Sequence, residues 1–114
     1  MSYIIYIEDK DSKQIITEDY QTDAMTDAVN VLIDEFNLFD HISLPYIMKK
    51  KAILNCSPTH PNGTSMRSYR RISDNIYLNV DLPGRTKMAQ IRQMASDCGV
   101  TVSFKGWPTY DRRD

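Results

Sequence analysis

The pattern of apolar and polar residues predicts two strands at the start of the chain. Tyrosine and isoleucine alternate from Tyr3 to Ile7, and a second β-rich run centred on Ile15 lies within residues 14–20. The polar segment 8–13 between them is typical of a turn, so we expect a hairpin. Because the first strand is apolar on both faces, it is expected either to be an inner strand covered on both sides or to form an interface.

A long amphipathic helix is predicted over residues 22–39, where apolar residues recur at three- and four-residue spacing. Thr22 is expected to cap its N-terminus, and Asp23 places a negative charge where the helix dipole favours one. This helix is expected to cover the sheet, and its acidic outer face is either solvated or a surface for a protein partner. The apolar stripe consists of Met25, Ala28, Val29, Leu32, Ile33, Phe36 and Phe39.

The middle of the chain lacks such periodicity. A short strand is predicted at residues 52–54, and the three consecutive lysines 49–51 before it are interpreted as an exposed edge or turn. Two prolines and an Asn-Gly pair predict a loop over residues 57–65. If residues 68–72 are extended, the arginines around them cannot all point the same way, because side chains alternate along a strand. Arg67 and Arg71 then share one face, and Arg70 lies on the other.

A strand, a corner and a helix are predicted in the C-terminal part. Residues 76–82 alternate, which predicts a strand with its aliphatic side chains on the core side. Pro83 and Gly84 indicate a turn, Thr86 is expected to cap the following helix, and Gly99 is expected to end it. Residues 100–104 then predict another strand, so that a β-α-β unit is completed.

These elements predict a single α+β domain over residues 1–110. It is expected to contain a small mixed sheet of about four to five strands, two helices, an N-terminal hairpin followed by a helix, and a C-terminal β-α-β unit. Residues 107–110 are expected to fold back on the domain, and residues 111–114 to form a frayed tail. With two cysteines and no apolar stretch near the roughly 18 residues of a membrane span, we expect a soluble cytoplasmic protein.

Charge is divided unevenly along the chain. Residues 1–47 carry ten acidic and two basic side chains, a net charge of −8, whereas residues 48–114 carry twelve basic and five acidic ones, a net charge of +7. The formal charge of the whole chain is therefore −1. This asymmetry predicts an acidic and a basic patch if the two parts stay distinct in the fold, and mutual neutralisation if they pack together.

The sequence contains no recognisable catalytic or metal-binding motif. The cysteines and histidines lack the close cysteine spacing of a zinc site. Cys56 and His60 are four residues apart, which allows a nucleophile and a base to meet but names no chemistry. The four glycines are isolated, so no phosphate loop is present. We therefore expect no enzyme activity, no metal and no cofactor.

The corner before the second helix is the best candidate for a site. Arg85 and Lys87 flank the start of this helix, where cations are mildly unfavourable unless an anion binds. Exposed backbone N–H groups there, together with Arg85, Thr86 and Lys87, would suit a phosphate. Asn79, expected on the outward face of the preceding strand, could hydrogen-bond a base edge. Alternatively, Asp74 and Asp81 neutralise the nearby cations and Asn79 only faces water.

Residues 75–94, which run Asn-Ile-Tyr-Leu-Asn-Val-Asp-Leu-Pro-Gly-Arg-Thr-Lys-Met into a helix, resemble part of the C-terminal DNA-binding domain of SeqA, the replication-sequestration protein. In that family, asparagines of a turn before a helix contact hemimethylated GATC sites. The resemblance implies that Asn79 contacts a base and that Gly84, Arg85 and Lys87 form the turn and its backbone contacts. Asp81 stands where that family has a second asparagine.

The sequence therefore predicts a small non-enzymatic regulatory protein that binds nucleic acid, DNA in the first place. Arg85, Thr86 and Lys87 would contact phosphates and Asn79 would lie near bases. Arg67, Arg70 and Arg71 would extend the contact surface. The alternative is a protein-interaction module, an inhibitor or adaptor, that uses the acidic helix 22–39 or the first strand.

Overall fold

The computed structural model describes residues 2–108, and the predicted tail 111–114 lies outside them. Helices and strands alternate irregularly along this range, which confirms the α+β class. No helix among the described residues is long and apolar enough to cross a membrane. The elements are β1 (Tyr3–Glu8), β2 (Lys13–Glu18), α1 (Gln21–Phe36), a 3₁₀ turn (Leu38–Asp40), β3 (Tyr46–Met48), β4 (Lys51–Asn55), β5 (Tyr69–Ser73), β6 (Ile76–Asn79), α2 (Gly84–Asp97) and β7 (Thr101–Lys105).

The chain forms two compact units, which we call the terminal unit, residues 1–41 and 83–114, and the central unit, residues 42–82. The terminal unit contains both α-helices and a three-stranded antiparallel sheet of order β2-β1-β7. The central unit contains a four-stranded antiparallel sheet of order β3-β4-β6-β5. Each unit is described by itself below.

The strands lie in two antiparallel sheets, so the prediction of one mixed sheet is wrong. β7 pairs with β1 from the opposite end of the chain, with Ile4 opposite Lys105. β6 belongs to the central sheet, so β6, α2 and β7 do not form the predicted β-α-β unit. Hydrophobic periodicity reports which face of a strand is buried but not which strand pairs with it, and this is why the partner of β7 was missed.

The terminal sheet has an apolar face buried in the unit. The N-terminal hairpin is confirmed, with β1 paired to β2 from Tyr3 opposite Glu18 onward. β1 is the inner strand, as predicted, and α1 contacts both β1 and β2, while α2 contacts α1 and β7. Ile5 and Ile7 are fully buried and Ile16 is nearly so. The predicted helix thus covers the sheet.

α1 is shorter than predicted at its C-terminal end. It stops at Phe36 because Asn37 takes the left-handed backbone conformation, with φ of 56°, which asparagine tolerates better than most residues. The N-cap is Tyr20, with no side-chain hydrogen bond, and Thr22 already lies inside the helix. The prediction that Thr22 caps the helix is therefore wrong.

The central sheet is buried most deeply along β4 and β6. Ala52, Ile53 and Leu54 are all fully buried, although consecutive side chains of a strand point to opposite faces. The predicted loop 57–65 is confirmed, and it is held by short backbone hydrogen bonds, including 2.8 Å from the N–H of Met66 to the carbonyl of Pro58. Both faces of β4 are thus covered.

Candidate nucleic-acid interface

The seven residues predicted to bind nucleic acid are divided between the two units. The arginines of the middle segment and the predicted base-contacting asparagine lie in the central unit, and the residues of the corner before α2 lie in the terminal unit. The first group is Arg67, Arg70, Arg71 and Asn79, and the second is Arg85, Thr86 and Lys87.

The start of α2 exposes less charge than expected. Its N-cap is Pro83, so Thr86 lies in the first turn and is not the predicted cap. Arg85 is exposed and Thr86 half-buried, but Lys87 is buried, which contradicts an ammonium group presented to solvent. The side chain of Gln21 lies against Gly84, where an added Cβ would stand 2.9 Å from its Oε1 atom. The corner is therefore packed closely at its first residue.

Asn79 is also buried, with 3% of its surface exposed, so the prediction that it faces outward is wrong. Its Oδ1 atom accepts a hydrogen bond of 3.2 Å from the backbone N–H of Asp81. This bond satisfies a backbone donor just beyond the end of β6. Leu78 and Val80 on either side are buried too, so the strand end is covered on both faces and alternation does not predict exposure there.

The arginines of β5 point to both faces of the central sheet, as predicted. Arg70 lies opposite Leu78 and Arg71 opposite Tyr77 in the antiparallel register. Since side chains alternate, Arg67 falls on the face of Arg71. All three arginines are exposed: Arg70 and Arg71 lie on β5, an edge strand of the sheet, and Arg67 lies just before it.

Arg67 and Arg71 form ion pairs with aspartates. Arg67 forms an ion pair with Asp81, 3.5 Å from Nε to Oδ2, and Arg71 forms one with Asp74, 3.4 Å from Nη2 to Oδ1. The side chains are 42% exposed or more in the first pair and 59% or more in the second. Exposed pairs of this kind contribute about 0–1 kcal/mol, so a phosphate can compete for these arginines at little cost.

Two tyrosines lie on the same face as Arg71. Tyr69 stands diagonally across the β5–β6 pair from Tyr77, and their rings meet edge to face with centroids 5.4 Å apart. Tyr69 is 46% exposed and Tyr77 is half-buried. An exposed aromatic ring beside arginines is the arrangement on which unpaired bases stack.

The three lysines 49–51 are exposed and lie at a turn, as the sequence indicated, but the sequence did not assign them to the binding site. Lys49 and Lys50 form the turn between β3 and β4, flanked by Met48 and Lys51, which pair with each other. Both turn residues have positive φ, 52° and 70°, as a type I′ turn requires. Such turns are usually built from Asn-Gly, because a residue with a longer side chain is strained by about 1–2 kcal/mol in this conformation.

The sheet register places Lys51 and Arg67 at the same end of the central sheet, whereas Arg70 and Arg71 lie farther along β5, level with Leu54 and Asn55. Leu78 of β6 pairs with Leu54 of β4 on one side and with Arg70 of β5 on the other, and both pairings are antiparallel. The first residue of β4 therefore lies at the same end of the sheet as the last residue of β6 and the first residue of β5. Lys51 and Arg67 are thus separated by two strand spacings, about 10 Å. We call the six exposed cations of this unit the basic surface, of which Arg70 lies on the opposite face of the sheet from Arg71: Lys49, Lys50, Lys51, Arg67, Arg70 and Arg71.

The basic surface gives the central unit its charge. Its six cations face two aspartates, Asp74 and Asp81, so residues 42–82 carry a net charge of +4. The remaining residues carry eight cations and thirteen acids, a net charge of −5. The charge asymmetry of the sequence follows the units only in part, because residues 83–114, with a net charge of +3, belong to the terminal unit and offset part of the −8 of residues 1–41.

The cysteines and histidines do not form a metal cluster within the described residues. No group of three metal-ligating side chains occurs there. The Nδ1 atom of His60 accepts the backbone N–H of Ala52 at 3.1 Å, so this ring is used to hold the loop to β4. Cys56 is exposed, and burial together with the charge of Asp97 raises the pKa of Cys98 to about 11. Cys98 is therefore a thiol, not a thiolate, at neutral pH.

Comparison of the chain with protein families, with curated proteins and with solved structures gives no match.

Proposed function

We propose that this protein is a small non-enzymatic regulator that binds nucleic acid, DNA in the first place, through the basic surface of its central unit. Its location would be the cytoplasm, as the cysteine content predicts. The observation that supports this most is the concentration of six exposed cations against two acids in 41 residues. Phosphate contacts by lysine and arginine are the main source of affinity for DNA.

The strained turn adds a second line of support. Lys49 and Lys50 occupy backbone conformations that asparagine and glycine would adopt at lower cost. Backbone strain of this kind concentrates at functional sites, where it positions a side chain that the fold itself does not need. Two lysines at the tip of a hairpin would place two ammonium groups against adjacent phosphates.

The resemblance of residues 75–94 to the SeqA DNA-binding domain favours DNA over RNA. The contacts we propose differ from those that the resemblance implies, because Asn79 is buried against the chain. Arg85, Thr86 and Lys87 stay predictions from the sequence, and the proposed contacts do not include them. Arg67 and Arg71 would exchange their aspartate partners for phosphates.

A salt titration tests the proposal. We would measure the affinity for a fluorescent DNA duplex of about 20 base pairs by anisotropy, between about 50 and about 200 mM salt. Each lost phosphate contact reduces the slope of log affinity against log salt by about 0.9. Replacing Lys49, Lys50 and Lys51 together by alanine should therefore reduce the slope by up to about 2.7.

The control removes the same charge elsewhere. Lys10→Ala, Lys13→Ala and Lys105→Ala together take three exposed cations from the terminal unit and should leave the slope as it is. Equal effects of the two triple variants would mean that net charge alone drives binding. No effect of the central variant would refute the proposed site.

A further inference from the structure

The terminal unit has an open groove between an edge strand and the acidic side of α1. It has a volume of about 440 Å³ and is lined by residues 14–17 of β2 and by one side of α1. This volume is in the range of sites that hold a ligand. The lining residues of α1 are Asp27, Asn30, Val31, Asp34 and Glu35.

The strand that borders the groove is open on its outer side. β2 is an edge of the sheet, and alternate residues of an edge strand direct their N–H and C=O groups away from it. Within the described residues, no backbone hydrogen bond joins this side of β2 to another segment. A free edge of this kind can pair with an added strand.

β2 also lacks the devices that protect the two edges of the central sheet. The pairings of β3 and β5 are interrupted by bulges, and lysines or arginines lie on or beside both strands. The pairing of β2 with β1 is regular over six residues, about 20 Å. Lys13 begins β2, but its ammonium group lies over the ring of Tyr6, 5.4 Å from the centroid. The edge therefore remains accessible along the groove.

The groove is acidic, which indicates the charge of what it would bind. Three carboxylates of α1 line it and no lysine or arginine does. At the end of β2, Glu18 shares a hydrogen bond with Asp27, and this contact, with the negative charge of Asp27, raises the pKa of Glu18 to about 6. Carboxylates that repel each other in this way are stabilised by a nearby cation.

We propose that this groove binds an extended basic segment of a partner protein, which adds a strand to the outer edge of β2. Its lysine or arginine side chains point toward Asp27, Asp34 and Glu35 on α1. The alternate side chains of the same segment lie beside Ile15, which is 59% exposed on the opposite face of β2. The segment is therefore about six residues long, with cations at every second position.

The probe for this proposal is an eight-residue peptide of alternating lysine and valine with blocked ends. Isothermal titration calorimetry should show binding to the full chain. Replacing every lysine of the peptide by glutamate, or methylating alternate backbone nitrogens, should weaken binding at least about tenfold, because the first reverses the charge and the second removes strand pairing.

Matched variants of the protein locate the site. Asp34→Asn with Glu35→Gln should weaken peptide binding about tenfold, whereas Asp11→Asn with Asp40→Asn, which removes the same charge outside the groove, should not. Equal effects of the two pairs, or binding that tolerates the methylated backbone, would overturn the proposal. Sedimentation of the parent chain and of the variant Asp34→Asn with Glu35→Gln tests a second occupant. If the parent dimerises and the variant does not, a second copy of the chain occupies the groove instead.

Discussion

Among the described residues, both units have glycine and asparagine at positive φ, and the central unit has two lysines there as well. Both have turns or helix ends where φ is positive, but among the described residues lysine takes that conformation in the central unit alone, at Lys49 and Lys50. Elsewhere the chain uses residues that tolerate it: Asn37, Gly63, Asn75, Gly99 and Gly106. The central unit therefore keeps two charged side chains where uncharged ones would be more stable.

The two units also differ in net charge. The terminal unit has a net charge of −5 and the central unit +4, and each exposes an edge strand beside its charged side chains. A surface that only faces water needs neither strained backbone at its lysines nor an excess of positive charge. In a phosphate-binding surface, the strained backbone can position a lysine side chain and the positive charge attracts the phosphate. The comparison thus favours a binding role for the basic surface over a purely structural one.

Replacing a glycine of the terminal unit should give the largest effect. In Gly106→Ala the new Cβ would collide with the backbone carbonyl of Ser2, at a φ of 84°. We expect the free energy of unfolding in urea to fall by about 2 kcal/mol or more. Gly99→Ala is the control, because its φ is also positive but no atom lies within 4 Å, so the loss should be about 1 kcal/mol. Equal losses of stability in the two variants would contradict a close approach of the Ser2 carbonyl to residue 106.

Replacing the two turn lysines of the central unit by residues that favour positive φ should stabilise the fold and weaken DNA binding. Lys49→Asn with Lys50→Gly supplies the preferred type I′ turn and should raise the free energy of unfolding by about 1 kcal/mol. The same variant should lose about tenfold in DNA affinity, because two phosphate contacts are removed. Lys51→Gln removes one charge without altering the turn and should leave stability unchanged. A double variant no more stable than the parent would show that the turn is unstrained.

Removing the acidic partners of Arg67 and Arg71 should increase DNA affinity, by less than the lysine variant decreases it. Asp74→Asn with Asp81→Asn frees Arg67 and Arg71 and raises the charge of the central unit, so DNA affinity should increase about three- to tenfold. Asp11→Asn with Asp40→Asn makes the same change of charge in the terminal unit. If that control increases affinity as much, the arginines are not the contacts.

The smallest effect concerns the carboxylates of the terminal unit. Because the pKa of Glu18 is about 6 in the folded chain and near 4.5 otherwise, folding favours its protonated form. Stability should decline as pH rises from about 4.5 through about 6 and then stay level. Asp27→Asn should return the pKa of Glu18 toward its usual value and flatten this decline. Carbon NMR titration of the Glu18 carboxyl measures its pKa, and melting temperatures across this pH range measure the decline in stability. If the titration of Glu18 is the same in the parent and in Asp27→Asn, the shared hydrogen bond is contradicted.

Much of the local structure could be predicted from the sequence. The hairpin, the buried stripe of α1 and the helix end at Gly99 follow from periodicity and from residues with strong backbone preferences. Five of the seven predicted stripe residues are buried, whereas Ile33 is half-buried and Phe39 is 37% exposed beyond the helix end. Asn37 ended the helix earlier than the apolar spacing alone indicated.

The arrangement of the site was harder to predict. Alternation placed Asn79 outward because it assumes one buried face, and β6 is covered on both faces at that point. The pairing of β7 with β1 joins the two ends of the chain, which no local pattern encodes. The sequence indicated an exposed edge or turn at lysines 49–51, but lysine has no preference for positive φ, so the strained conformation of Lys49 and Lys50 was not predicted.

The most direct measurement is a backbone amide NMR titration of the chain with a DNA duplex of about 20 base pairs. If the basic surface binds phosphates, the largest chemical-shift changes will fall in residues 49–51 and 67–71, and the amides of β2 and α1 will change little. The changes should diminish as salt is raised. Largest changes in β2 or α1, or no changes at low salt, would contradict the assignment of nucleic-acid binding to the central unit.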